Sequence, residues 1–181
     1  FIFFEKIAFK FAEISSIYLE MYEEIVEKEL SMIKPSKDHL ILVIGSGTLP
    51  ATPIIIARKI KAKITAIDID GKAVKESREY IKNLTLEENI NITKGNGVNF
   101  SLKDFDIIFV LYGMRRQKEM INNLSNNIKK STKVILRTIL KDGKARIDDE
   151  YLDLSEYFII KTTVQSECFG IVDSVLLENK Q

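Results

Sequence analysis

Cysteine and histidine are nearly missing from this chain: Cys168 and His39 are single instances among 181 residues. One cysteine cannot close an internal disulfide, and no cysteine set exists to hold zinc or an iron–sulfur cluster. One histidine leaves no imidazole pair for a metal and argues against a Ser-His-Asp triad, so no metal site is expected. Scarce cysteine fits a reducing compartment, and a cytoplasmic location is expected. A charge excess of either sign is also missing. Lys and Arg total 27 against 26 Asp and Glu, a net charge of +1. Proteins that grip nucleic acid by its phosphates usually carry a basic excess, so nucleic acid is not the favoured partner. No run of about 18 apolar residues occurs, so no membrane span is expected. Phe1-Ile2-Phe3-Phe4 is interrupted at Glu5 and Lys6, too early for a signal-peptide core. The first residue is not Met, and a trimmed or partial chain is expected.

No repeat, low-complexity run or linker divides the sequence. With 45% hydrophobic and 29% charged residues, it reads as one soluble globular domain with a sizeable core. From Ile7 to Ile33, Ile7, Phe11, Ile14, Tyr18, Tyr22 and Ile25 fall at helical spacing and predict a helix packed on the domain. Pro35 and Ser36 end it. The period then changes. Leu40-Ile41-Leu42-Val43-Ile44 is continuously apolar, as in a parallel strand covered on both faces. A helix is predicted from about Leu49 to Lys61, with Thr52 as its cap and Pro53 in its first turn. Strand signals recur at 63–67, 90–93, 106–111 and 133–138, with helical patterns at 72–83 and 116–130. Phe158–Val164 and Ile171–Leu177 read as a terminal antiparallel pair. Five strand–helix units and a hairpin predict a doubly wound, mostly parallel seven-stranded α/β sheet of Rossmann-like form. Residues 1–36 are expected as an N-terminal helical extension and 37–181 as the ligand-binding domain.

In such a sheet, ligands sit beyond the carboxyl ends of the strands where strand order reverses. The first strand is followed by Gly45-Ser46-Gly47-Thr48-Leu49-Pro50. Glycine lets a ligand approach the backbone closely, and loop amides with the next helix's positive end can receive a carboxylate. Asp68 closes the second strand, 23 residues after Gly45 and just before Ile69, and can accept both hydroxyls of a ribose. Asn96, beside Gly97, can meet an adenine edge. The fourth strand ends in Leu111-Tyr112-Gly113-Met114, next to where a reactive centre would lie. Pro50 occupies the place of the third glycine in a Gly-x-Gly-x-x-Gly fingerprint, which suits a ligand lacking a diphosphate. No Gly-Lys-Ser/Thr sequence is present, which excludes a P-loop.

Across about 38–180 the sequence resembles the class I S-adenosylmethionine (SAM)-dependent methyltransferase superfamily, with Asn96 where that group often has Asp. The stretch Val43-Ile44-Gly45-Ser46-Gly47-Thr48-Leu49-Pro50-Ala51-Thr52 is similar, more narrowly, to the loop of nicotianamine synthase-like proteins. Tyr112-Gly113-Met114, Ile135-Leu136-Arg137-Thr138 and Asp173-Ser174-Val175-Leu176 look similar too. Thr48 replaces the family's proline, and Asp173 stands where the family often has Asn. The resemblance implies SAM as co-substrate, held by Gly45, Ser46, Gly47, Thr48, Leu49, Pro50, Asp68, Ile69, Asn96, Gly97 and Leu111. It also implies a tyrosine over the SAM pocket. Tyr22 stands at the corresponding distance, 23 residues before Gly45, and Glu29 follows two turns later on the same face. Tyr22 is read either as a buried phenol with one partner or as a site residue, and Glu29 either as a glutamate at the rim or as a site residue. The family carries a larger helical region ahead of this domain than the roughly 35 residues that precede the first strand here.

SAM can give up its methyl or its 3-amino-3-carboxypropyl group, and orientation decides which. In either case Tyr112 or Tyr22 would shape the acceptor side, and Glu29 or a water would take a proton from an amine acceptor. No Asn/Asp-Pro-Pro-Tyr sequence occurs, and a small-molecule acceptor is favoured. Aminocarboxypropyl transfer, methyl transfer to a small molecule, and a non-catalytic module using Phe1–Phe4 as a partner contact all remain open. Homo-oligomerisation through the N-terminal helix is a further expectation. Arg58–Lys63 reads as a solvated helix end, Arg115-Arg116 as a helix start or an anion contact, and Asp148-Asp149-Glu150 as a solvated helix face. Cys168 reads as structural or incidental.

Overall fold

A computed structural model describes residues 12–167 and 171–180. Phe1–Phe4, Ile7, Phe11, the side chain of Ile14, and Cys168 lie outside the described residues.

Seven strands form one sheet. They are β1 (Leu40–Ile44), β2 (Lys63–Asp68), β3 (Ile90–Lys94), β4 (Ile107–Val110), β5 (Lys133–Thr138), β9 (Phe158–Ser166) and β10 (Val172–Asn179). Their order is β3-β2-β1-β4-β5-β10-β9. The first five pair in parallel, and β10 runs antiparallel to both β5 and β9. The chain reverses direction across the sheet between β1 and β4, which creates a crevice at their carboxyl ends. The expected doubly wound, mostly parallel seven-stranded sheet is therefore present.

The helices are α1 (Ala12–Ile33), α2 (Ala51–Ile60), α3 (Gly71–Asn83) and α4 (Gln117–Asn127). Strand alternation sends Ile41, Val43, Ile64, Phe109 and Ile135 to one face, where Tyr18, Ile25 and Val26 of α1 and Ile54 and Ile56 of α2 cover them. Leu42, Ile44, Ile108, Val134 and Leu136 pack on the other face against Met120, Ile121 and Leu124 of α4. Each fully buried aliphatic chain of this kind contributes about 1.5–3 kcal/mol. Helix α1 thus shares one core with the sheet. No described helix is long and apolar enough to cross a membrane.

Three expectations need correction. No α-helix joins β3 to β4, and none joins β5 to the terminal pair. In the second place stands a small antiparallel sheet of β6 (Leu140–Lys141), β7 (Lys144–Ile147) and β8 (Glu150–Leu152). Asp148 and Asp149 consequently occupy the turn before β8, and Glu150 begins it, so these acids do not share a helix. Asp148 instead anchors the start of α4. Its oxygens accept the amides of Gln117 (2.9 Å) and Lys118 (3.1 Å). Gln117 Oε1 in return accepts the amide of Asp148 at 2.8 Å. The small sheet thereby caps α4 from outside. Thr52, finally, does not cap α2. Pro50 holds the cap position without a side-chain bond, and Thr52 lies inside the first turn. Pro53 sits in that turn as expected, where its missing N–H would have no helical partner.

Candidate active site

The strand register aligns the site. Ile44 pairs with Ile67 and with Val110, Val110 pairs with Leu136, and Arg137 pairs with Ser174. One step further along, Asp68, Gly45, Leu111 and Arg137 form a row at the carboxyl edge. By the period of two they share the face covered by α1.

The glycine loop needs its glycines. Gly45 has φ +83° and Gly47 φ +66°, a left-handed backbone that side chains disfavour. The amides of Gly45 and Ser46 both donate to the carbonyl of Ile67, at 2.9 and 3.1 Å. The amide of Gly47 donates to Asp68 Oδ2 at 2.8 Å, and that of Asp70 to Asp68 Oδ1 at 2.9 Å. A carboxylate offers roughly four lone-pair positions, so Asp68 keeps acceptor capacity for hydroxyl groups. Ile69, next in sequence, is 65% exposed.

Thr48, Leu49 and Pro50 are buried beneath the loop. Ser46 and Thr52 are buried as well, at 4% and 1% exposure. Their hydroxyl oxygens are the buried side-chain polar atoms that lack a hydrogen-bond partner among the described residues. Such orphans are rare, because leaving one unpaired costs about 1–3 kcal/mol. Both flank the start of α2, whose first turn holds no acidic side chain.

The fourth strand supplies the opposite wall. The amide of Leu111 donates to the carbonyl of Ile44 at 3.1 Å, and Tyr112 is 41% exposed. Gly113 has φ +88° with open space around it. The chain turns there and lays Met114 on Gly45: a Cβ at Gly45 would lie 3.0 Å from Met114 Cγ and 3.1 Å from its Sδ. Met114 had drawn no sequence signal beyond its place in the Tyr112-Gly113-Met114 stretch. Asn96 turns its carbonyl oxygen to the amide of Val98 at 3.1 Å. Gly97 is buried between Met120 and Ile44. Arg116 is the left-handed residue before α4 and pairs with Glu119, whose carboxyl that guanidinium holds below its usual range. Arg116 is thus engaged at a helix start, and Arg115 is exposed.

Glu29 departs from the expected base. It is fully buried, and its oxygens accept from Arg137 Nε and Nη2, both at 2.7 Å. Ser174 Oγ adds a third donor to Oε1 at 2.6 Å. Committed to these partners and shut off from solvent, Glu29 has no open path to a substrate amine and is a buried structural partner. The guanidinium carbon of Arg137 in turn lies 5.6 Å from the Tyr22 ring centroid, and the Tyr18 ring lies 4.8 Å from that of Tyr22. Sequence reasoning did not single out Arg137 as a partner. The available signal was a strong cation ending an apolar strand run, which asks for a buried counter-charge.

Comparison with known proteins agrees with this architecture. The family model described as nicotianamine synthase protein matches residues 15–180. L-histidine 2-aminobutanoyltransferase of Yersinia pestis is 22% identical over 120 residues, covering 66% of this chain and 45% of that protein. The Pseudomonas aeruginosa UCBPP-PA14 enzyme of that name is 25% identical over 121 residues, covering 66% and 46%. The chain thus matches about half the length of these curated relatives. Among solved structures, MtNAS in complex with MTA and tNA superposes with TM-score 0.80 at 20% identity, covering 98% of this chain and 69% of that one. An RNA methyltransferase from Salinibacter ruber in complex with S-adenosyl-L-homocysteine gives 0.69 at 16% identity, covering 87% and 92%. The structural likenesses establish the SAM methyltransferase fold, and the family match extends over α1, the glycine loop and the closing strands alike: this chain belongs to the nicotianamine synthase family.

Proposed function

We propose that this chain binds SAM at the carboxyl ends of β1, β2 and β4 and serves a transferase that moves the 3-amino-3-carboxypropyl group to an amine of a small molecule. The observation that supports it most is the glycine loop tied to Asp68, with two unpaired buried hydroxyls beside the amino end of α2. Asp68 suits a ribose, and Ile69 and Asn96 suit an adenine edge. The hydroxyls of Ser46 and Thr52, at the positive end of α2, suit the methionyl carboxylate. Gly97 packs on Ile44, the last residue of β1 before the loop. In this reading α1 is a helical cover over the binding domain that follows it.

SAM supplies a sulfonium whose attached carbons are open to displacement. The protein's part is orientation and exclusion of water. Tyr22, Tyr112 and Leu111 line the reacting side, and Met114 lies on the loop that would hold the methionyl limb. With Glu29 committed to Arg137, the proton released by an attacking amine passes to water. The aminobutanoyltransferases and the MtNAS complex support the aminocarboxypropyl reading over methyl transfer.

The test is the nucleoside left after incubation with SAM and a cell extract. Methylthioadenosine is the expected co-product. S-adenosylhomocysteine would replace the reading with methyl transfer, and neither product alongside SAM binding would favour a binding module.

A further inference from the structure

The pair Glu29–Arg137 asks for an explanation beyond adhesion. Both members are almost completely buried, at 0% and 3% side-chain exposure. A buried ion pair is often no more stabilising than well-packed apolar residues of the same volume. Helix α1 is already held by Tyr18, Ile25, Val26 and Ile33, all in the apolar core. What the pair adds is register. Turning α1 by one residue, about 100°, would remove Glu29 from Arg137 and Ser174 and strand a charge in the core. The rotation and height of α1 are therefore fixed by one carboxylate gripped from two neighbouring strands.

Tyr22 is the residue whose place that register sets. It stands two turns before Glu29, about 10 Å along the helix axis, and its ring meets the guanidinium. Arg137 belongs to the row of Asp68, Gly45 and Leu111. With strands about 4.8 Å apart, it stands roughly 10 Å from Gly45 across the sheet. We propose that Arg137 is a positioning residue: locked by Glu29 and Ser174, it holds the Tyr22 ring against the SAM crevice. This rests on the assignment of that crevice to SAM. It also gives a reason for the family-like stretches in β5 and β10, since Arg137 and Ser174 are the residues of those strands that grip Glu29.

A double-mutant cycle on SAM affinity tests it, with thermal unfolding measured in parallel. Tyr22→Ala should weaken SAM roughly three- to tenfold, the value of one ring contact. Arg137→Lys, which keeps the charge and loses the fork, should weaken it within the same range in the wild-type background. In the Tyr22→Ala background Arg137→Lys should have no further effect on SAM, while lowering the unfolding midpoint as much as before. Glu29→Gln serves as the second probe of the same coupling if Arg137→Lys does not fold. Equal losses of SAM affinity in both backgrounds, or none in either, would overturn the inference alone. A wild-type chain that fails to bind SAM would overturn the crevice assignment and this inference together.

Discussion

The amide of Gly47 donates to Oδ2 of Asp68 at 2.8 Å, so the turn after β1 and the end of β2 are one unit. This bond makes the loop sensitive to a side chain 21 positions away and sets the carboxylate at the mouth of the crevice before any ligand arrives.

Thr52→Val should separate stability from binding. The variant replaces a buried hydroxyl without a partner by a methyl group, so the unfolding free energy should hold or rise by about 1 kcal/mol. Affinity for S-adenosylhomocysteine should fall by about 1 kcal/mol. Affinity for methylthioadenosine, which has no carboxylate limb, should not change. Paired thermal melts and calorimetric titrations check both signs, and equal losses for the two nucleosides would remove Thr52 from the carboxylate site.

Gly97→Ala should destabilise the chain. A Cβ there would lie 2.1 Å from Met120 Cε and 2.6 Å from Ile44 Cγ2. The Met120 tip can move, but Ile44 is held in β1, so the expected cost is about 1–3 kcal/mol. Chemical denaturation measures it. An unchanged midpoint would mean that the end of β1 and α4 are looser than the packing indicates.

Asp106 gives a pH signature at the opposite end of the sheet. Lys129 at 2.8 Å and the amide of Leu40 at 2.9 Å hold its carboxyl below the usual range. A lowered folded value contributes stability above the unfolded value of about 3.9 and loses it as pH falls through the folded one. Asp106→Ala should therefore cost about 1–2 kcal/mol near neutrality. The difference from wild type should shrink below about pH 4, and denaturation curves at several pH values would show it. A gap independent of pH would assign the loss to packing.

The parallel sheet was legible because its strands announce themselves: Leu40–Ile44 has no polar residue, and Lys133–Thr138 matches the observed strand at both ends. The loop and Asp68 were legible because one register places them together. The small sheet was not, since β6 and β7 have two and four residues, too few to show a period of two. Its one clear mark was Asp142-Gly143, both with positive φ, the chemistry of a tight hairpin turn. Glu29 and Arg137 lie 108 positions apart. Sequence spacing on a single helix exposed the polarity of Glu29 but not its partner, and so suggested a base where the fold had built an ion pair.

The most direct test is a calorimetric titration of SAM into the wild-type chain and into Asp68→Ala. The wild type should bind one SAM. The variant should lose about 1.5–3 kcal/mol for each charge-assisted hydrogen bond removed, while remaining folded. No heat of binding to the wild type, or equal affinity in both proteins, would contradict the cradle at the ends of β1 and β2.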